Sequence, residues 1–154
     1  MKLNKLIVIA LLIVTPRLSL AAGLINEMQS CQGLIQFINN KLDSAPASYG
    51  RQEINTVRKG LDGYNQYIQD EIVTPGLLQF TNGDHARAEA MQKQVDAYKQ
   101  SVVQQLDARY PDNRLFMDYA VAVNDCAKQA VPAGQSLTDL KNALNTMIEL
   151  AQAQ

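Results

Sequence analysis

LINEMQSCQGLIQFINNKL, residues 24–42, is the stretch from which the fold is read. Its apolar residues recur at Leu24, Met28, Cys31, Ile35, Ile38 and Leu42. Steps of four, three, four, three and four place them on one face of an α-helix. A cysteine belongs to that face. The second of the chain's two cysteines, Cys126, falls on the apolar face of another helical segment far downstream. A bond between them ties the first helix to a late one, and the intervening chain has to pack around that pair.

Upstream of this stretch, Lys2 and Lys5 precede the apolar run Leu6–Val14, and Ser19, Leu20 and Ala21 form a small-x-small pattern. This is the layout of a secretory signal, with cleavage expected after Ala21 or Ala22. The run is too short to span ~30 Å of hydrocarbon, which takes about 20 apolar residues, and Pro16 and Arg17 interrupt it. No cysteine directly follows the cleavage region, so a lipid anchor is not expected. The domain reading is a signal over residues 1–22 and one helical domain over 23–154. Without Lys2, Lys5 and Arg17, 11 of the 14 basic residues remain against 15 acidic ones, a net charge of −4. Such a chain lacks the basic footprint that nucleic acid or an anionic membrane surface requires. The expected compartment is the periplasm or the exterior, with no stable membrane insertion after cleavage.

Downstream, turn residues over 43–50 separate the first helix from a second stripe: Ile54, Val57, Leu61, Tyr64, Ile68 and Ile72. Gly60 and Gly63 inside it each cost up to ~1 kcal/mol against alanine, which points to close helix approach or a kink. Thr74-Pro75-Gly76 is expected to end this helix, leaving Leu77–Phe80 as an extension, a helical turn or a plug under the bundle. Asn82-Gly83 is a turn dipeptide and Asp84 the N-cap of the longest helix, running to about Tyr110 before Pro111. Its expected buried stripe is Ala88, Met91, Val95, Tyr98, Val102 and Leu106. Asp112 or Asn113 then opens a helix that buries Leu115, Tyr119, Ala122, Val123, Cys126 and Ala130. After Pro132-Ala133-Gly134, Ser136 and Asp139 resemble a capping box ahead of Leu137, Leu140, Leu144, Met147 and Ala151. The fold class is all-α, an up-and-down bundle of four main helices plus a C-terminal fifth, pinned by a Cys31–Cys126 disulfide. In an exported chain two lone cysteines on apolar stripes pair with each other.

The motifs that carry chemistry are missing. There is no Cys-x-x-Cys for redox work, no Cys-x-x-Cys-His for covalent haem, no Glu-x-x-His pair for a di-metal centre, and no Gly-x-Ser-x-Gly elbow. His85 is the sole histidine, in the first turn of a helix, where it reads as an ordinary surface residue. A haem held by His85 and Met28 or Met147 is weaker than the reading of those methionines as core. The carboxylates are dispersed, and a narrow bundle has little room for the paired carboxyls of a glycosidase. No enzyme, metal or cofactor is therefore expected. Tyrosine outnumbers phenylalanine six to three. Tyr64 and Tyr98 fit buried stripes. Tyr49, Tyr67 and Tyr110, with Phe80, sit at loops or stripe edges, where a ring with a polar tip or an apolar face suits a protein interface.

The layout of a signal, an early cysteine in one helix and a late one in another resembles that of small periplasmic acid-stress chaperones and of secretion-system immunity proteins. The loop between the cysteines is longer than in the former, and no motif beyond the cysteines extends either resemblance. The expected function is an exported, non-enzymatic protein that binds another envelope or secreted protein, as an immunity protein, inhibitor or adaptor does. Alternatives are a chaperone-like client binder and a carrier of haem or lipid between the helices.

Overall fold

A computed structural model describes residues 18–153. The expected n-region and apolar run of the signal lie outside the described residues. Six helices follow in order: α1 (Leu18–Asp43), α2 (Arg51–Ile68), α3 (Thr74–Phe80), α4 (His85–Arg109), α5 (Met117–Gln129) and α6 (Gly134–Gln152). A π-helical turn, Gln69–Val73, joins α2 to α3 without a break in helical backbone. No strand occurs among the described residues. The cleavage sites expected after Ala21 or Ala22 fall inside α1, which is helical from Leu18.

Contacts between the helices give their directions. Going up α1, Ile25, Gln32 and Asn39 meet Gly76, Asn65 and Asp62 in turn, so the α2–α3 rod runs antiparallel to it. Ser30, Gly33 and Lys41 meet Tyr98, Val102 and Tyr110, so α4 runs parallel to α1. Phe37 meets Tyr119 and Cys31 bonds to Cys126, so α5 descends. In the α2–α6 pair, Gly60 lies against Asp139 and Ala143 while Tyr67 reaches Val131, so α6 ascends beside α2. The result is the expected up-and-down bundle of five rods, held by one Cys31–Cys126 disulfide with a Cα–Cα distance of 5.9 Å.

α1 is the central rod and touches α2, α3, α4 and α5. Its burial is wider than the single stripe 24–42 implied. Met28, Gln29, Gln32, Ile35, Phe37, Ile38, Lys41 and Leu42 are all buried, whereas Leu24 is exposed. A rod with neighbours on several sides keeps only a few exposed positions, among them Asn26, Glu27 and Asn40, and the polar groups it buries must be neutral or paired. Lys41 meets that need by donating to the Tyr110 carbonyl oxygen at 2.8 Å, beside Asp107 at 3.5 Å and over the Phe37 ring.

Three expected boundaries are corrected. Thr74-Pro75-Gly76 does not end the second helix. Proline lacks an N–H and its ring clashes with the carbonyl four residues back. Here the π turn re-registers the ladder, with Thr74 N–H bonding back to the Gln69 carbonyl, and Pro75 takes the first turn of α3, where its missing donor costs nothing. The fourth rod starts at Met117, not at Asp112 or Asn113. The Tyr49 hydroxyl accepts the Leu115 N–H at 2.9 Å and Leu115 is buried, so residues ahead of α5 form a strap. Ser136 caps nothing: α6 begins at Gly134, and Asp139 is engaged by Lys59 at 2.9 Å and Gln135 at 2.9 Å. Those hydrogen bonds hold its carboxyl below the usual carboxylate range. Asp84 does cap α4, accepting from Arg87 N–H at 3.1 Å after the Asn82-Gly83 turn.

The two glycines of α2 have different causes. A Cβ on Gly60 would sit 2.5 Å from the Ala143 methyl and 2.9 Å from the Asp139 carbonyl carbon, so α6 can approach α2 only because position 60 has no side chain. A Cβ on Gly63 meets nothing within 4 Å. Gly60→Ala is therefore expected to lose about 1–2 kcal/mol, overpacking outweighing the gain in helix propensity. Gly63→Ala should gain about 0.5–1 kcal/mol. Urea denaturation followed by circular dichroism checks both, and equal signs would refute the distinction.

Candidate interaction surface

The first half of α4 is largely exposed. Of its expected stripe only Ala88 is fully buried; Met91, Val95, Val102 and Leu106 are half-buried, and Tyr98 is 47% exposed. The reason is local: this helix leans mainly on α1, with α3 at its start, so a narrow strip suffices to seat it. Two open grooves flank it. Between α3 and α4, Leu77, Leu78 and Ala88 form an apolar bed rimmed by Gln69, Thr74, His85, Glu89 and Gln92, about 250 Å³ in volume. On the α1 side, Asn26, Met91, Gln94, Val95 and Tyr98 line a second groove of about 390 Å³. Leu24, Phe80 and Tyr98 are exposed large apolar side chains; Tyr98 lines the second groove, and Phe80 ends α3, the helix that forms one wall of the first.

An amide ladder supports the floor. Gln32 Nε2 donates to the Asn65 carbonyl at 3.2 Å and to Gln69 Oε1 at 3.4 Å. Gln69 Nε2 donates to Thr74 Oγ1 at 2.9 Å and to Gln92 Oε1 at 3.0 Å, and Gln92 passes the chain to Asp96 at 3.1 Å. The π turn thus has a structural consequence: it carries Gln69 to where one side chain joins α1, α3 and α4. The ladder satisfies its amide donors, while the buried Gln32 Oε1 accepts no hydrogen bond among the described residues.

The four residues expected at an interface are not brought together. Tyr49 is only 6% exposed and its hydroxyl serves Leu115. Its assignment to an interaction edge is corrected: a substitution there would report on stability. Tyr110 is half-buried among Phe37, Phe116 and Tyr119 at the same end of the bundle. Tyr67 is half-buried, stacks on Tyr64 and donates to the Val131 carbonyl oxygen at 3.0 Å. Only Phe80, 41% exposed, presents its ring to solvent, at the opposite end from Tyr49. Tyr98, assigned to a buried stripe, is the residue that sequence reasoning placed wrongly in the other direction; its hydroxyl lies 3.0 Å from Ser30 Oγ.

His85 is exposed on the rim of the α3–α4 groove, one turn before Glu89. Among the described residues no group of three or more His, Cys, Asp or Glu is placed to hold a metal ion. Both cysteines are consumed in the disulfide. Burial, with Tyr110 and nearby acids adding, pushes the Tyr119 phenol up to about 12, and burial likewise raises that of Tyr64, so both stay neutral hydroxyls at ordinary pH. No described helix is long and apolar enough to cross a membrane. Compared with known proteins, the chain matches no protein-family model, no curated protein and no solved structure.

Proposed function

We propose that this is an exported, non-enzymatic protein that binds another envelope or secreted protein through the surface around the first half of α4. The observation that carries the reading is the pairing of two open, largely apolar grooves with the exposed rings of Phe80 and Tyr98 on a framework braced by the amide ladder. Open grooves with aromatic anchors suit a protein segment better than a small molecule, which needs enclosure. The disulfide supports export, because such bonds persist in oxidising compartments. The partner presents apolar side chains to the grooves and hydrogen-bonding groups to the rim amides, as in an inhibitor, adaptor or immunity pair.

The test is affinity purification of the tagged chain from the periplasm, followed by titration of the recovered partner against variants. One stoichiometric partner is expected, on a chain trimmed near Ala22. Phe80→Asp and Tyr98→Asp should each weaken its binding by about 2 kcal/mol, roughly thirtyfold in Kd, without lowering thermal stability. A broad set of unrelated proteins would indicate chaperone activity instead. A lone chain loaded with lipid or pigment would indicate a carrier and overturn the proposal.

A further inference from the structure

The outer face of α5 and α6 carries a second, separate surface. Met117 is 43% and Val121 53% exposed on α5, one turn apart. Val121 lines a groove of about 370 Å³ together with Ala120, Asn124, Lys141, Leu144, Asn145 and Ile148. An amphipathic helix normally turns its polar face outward, and the two large apolar residues at i and i+4 on the exposed side of α5 extend the apolar lining of this groove into a patch that a partner can cover.

The charges on α6 say which occupant. Lys141, Asn145 and Glu149 follow one another at four-residue steps on the exposed side of this helix. Lys141 and Glu149 take part in none of the ion pairs among the described residues. They stand about 6 Å below and above Asn145 along the axis, at 1.5 Å per residue. When a second α6 crosses antiparallel at Asn145, Lys141 of each copy comes level with Glu149 of the other. The stripe is therefore complementary to itself about a two-fold axis, which is the condition for an isologous dimer. Val121, which shares the groove with Asn145, then lies near its counterpart, and Leu144 near Ile148 of the other copy. The area is sufficient: two helices about 10 Å apart and ~20 Å long offer a face whose pairing removes on the order of 1,000 Å², the lower bound for a specific interface.

We propose that the α5–α6 face is the two-fold interface of a homodimer. This rests on residues different from those around α4, and the two proposals fail separately.

Sedimentation equilibrium of the purified exported chain across a micromolar concentration series is the test. A monomer–dimer equilibrium within this concentration series is expected. Val121→Asp places a carboxylate in the interface of each copy and should weaken association about a hundredfold or more. At concentrations where the parent is monomeric its melting curve should match the parent, since Val121 is half exposed. The charge variants form an independent arm at exposed positions. Lys141→Glu and Glu149→Lys should each weaken the dimer about tenfold by setting like charges level, and the double variant should restore it. Phe80→Asp should leave the dimer unchanged. A chain that stays monomeric throughout the series overturns the proposal. So does a dimer indifferent to Val121→Asp and to the charge swap. A monomer that captures a different protein on this face, lost in Val121→Asp, also overturns the second-copy reading.

Discussion

Cys31→Ser/Cys126→Ser is expected to lower unfolding free energy by about 4–5 kcal/mol, the largest effect of any change considered. The bond spans 95 positions and closes most of the chain into one loop. Cross-linking a loop near a hundred residues removes denatured-state entropy corresponding to about 4.7 kcal/mol in the chain-entropy model. Against a typical total of about 5–15 kcal/mol, that is a third or more of the stability of the fold. The site compounds the effect. Cys31 is 4% exposed on the central rod, and without the link α5 is held to α1 by packing alone, chiefly Phe37 against Tyr119. Urea denaturation of the double variant, beside the reduced parent chain, checks the value. A loss below about 2 kcal/mol would mean the denatured state stays compact without the bond, and the entropic account would fail.

Phe37→Ala should cost about 3–5 kcal/mol, the range for removing a fully buried aromatic ring. Phe37 is wholly buried, packs edge-on to Tyr119 at 5.2 Å and tilts against Tyr110 at 6.2 Å. Its ring also lies 5.0 Å beneath the Lys41 ammonium, which is itself buried and bonded to Tyr110. Truncation therefore leaves a cavity and strips support from a buried charge at once. Phe37→Leu keeps most of the volume and should cost far less. Denaturation midpoints of the two variants test this, and similar losses for both would show that the ring's contacts contribute little.

Phe37 also shows where sequence reading stops. It lies off the 24–42 stripe, between Gln36 and Ile38, and nothing in the heptad-like spacing marks it as core. It is buried because α1 is surrounded, and helix surroundings are a property of the assembled bundle. Gln29 and Gln32 also lie off that stripe and are buried. Tyr98 shows the reverse. It fits the three–four spacing of the stripe, yet a helix that leans on few neighbours buries only a narrow strip. Tyr49 sits in turn-rich sequence that reads as surface, but its hydroxyl meets a backbone N–H 66 positions away.

What the sequence determined by itself are the quantities written in local spacing: all-helical class, the number of rods, the Asp84 cap, the Asn82-Gly83 turn, and two cysteines on apolar faces able to meet. These depend on the 3.6-residue period and on turn stereochemistry, which each segment carries alone. The tertiary structure alone decided that α1 is central, that Pro75 is absorbed by a π turn, that Gly60 rather than Gly63 meets α6, and which apolar side chains stay outside. Each of those depends on how many neighbours a helix has and on which side they approach. That information is shared between segments far apart in the chain, and no window of residues contains it.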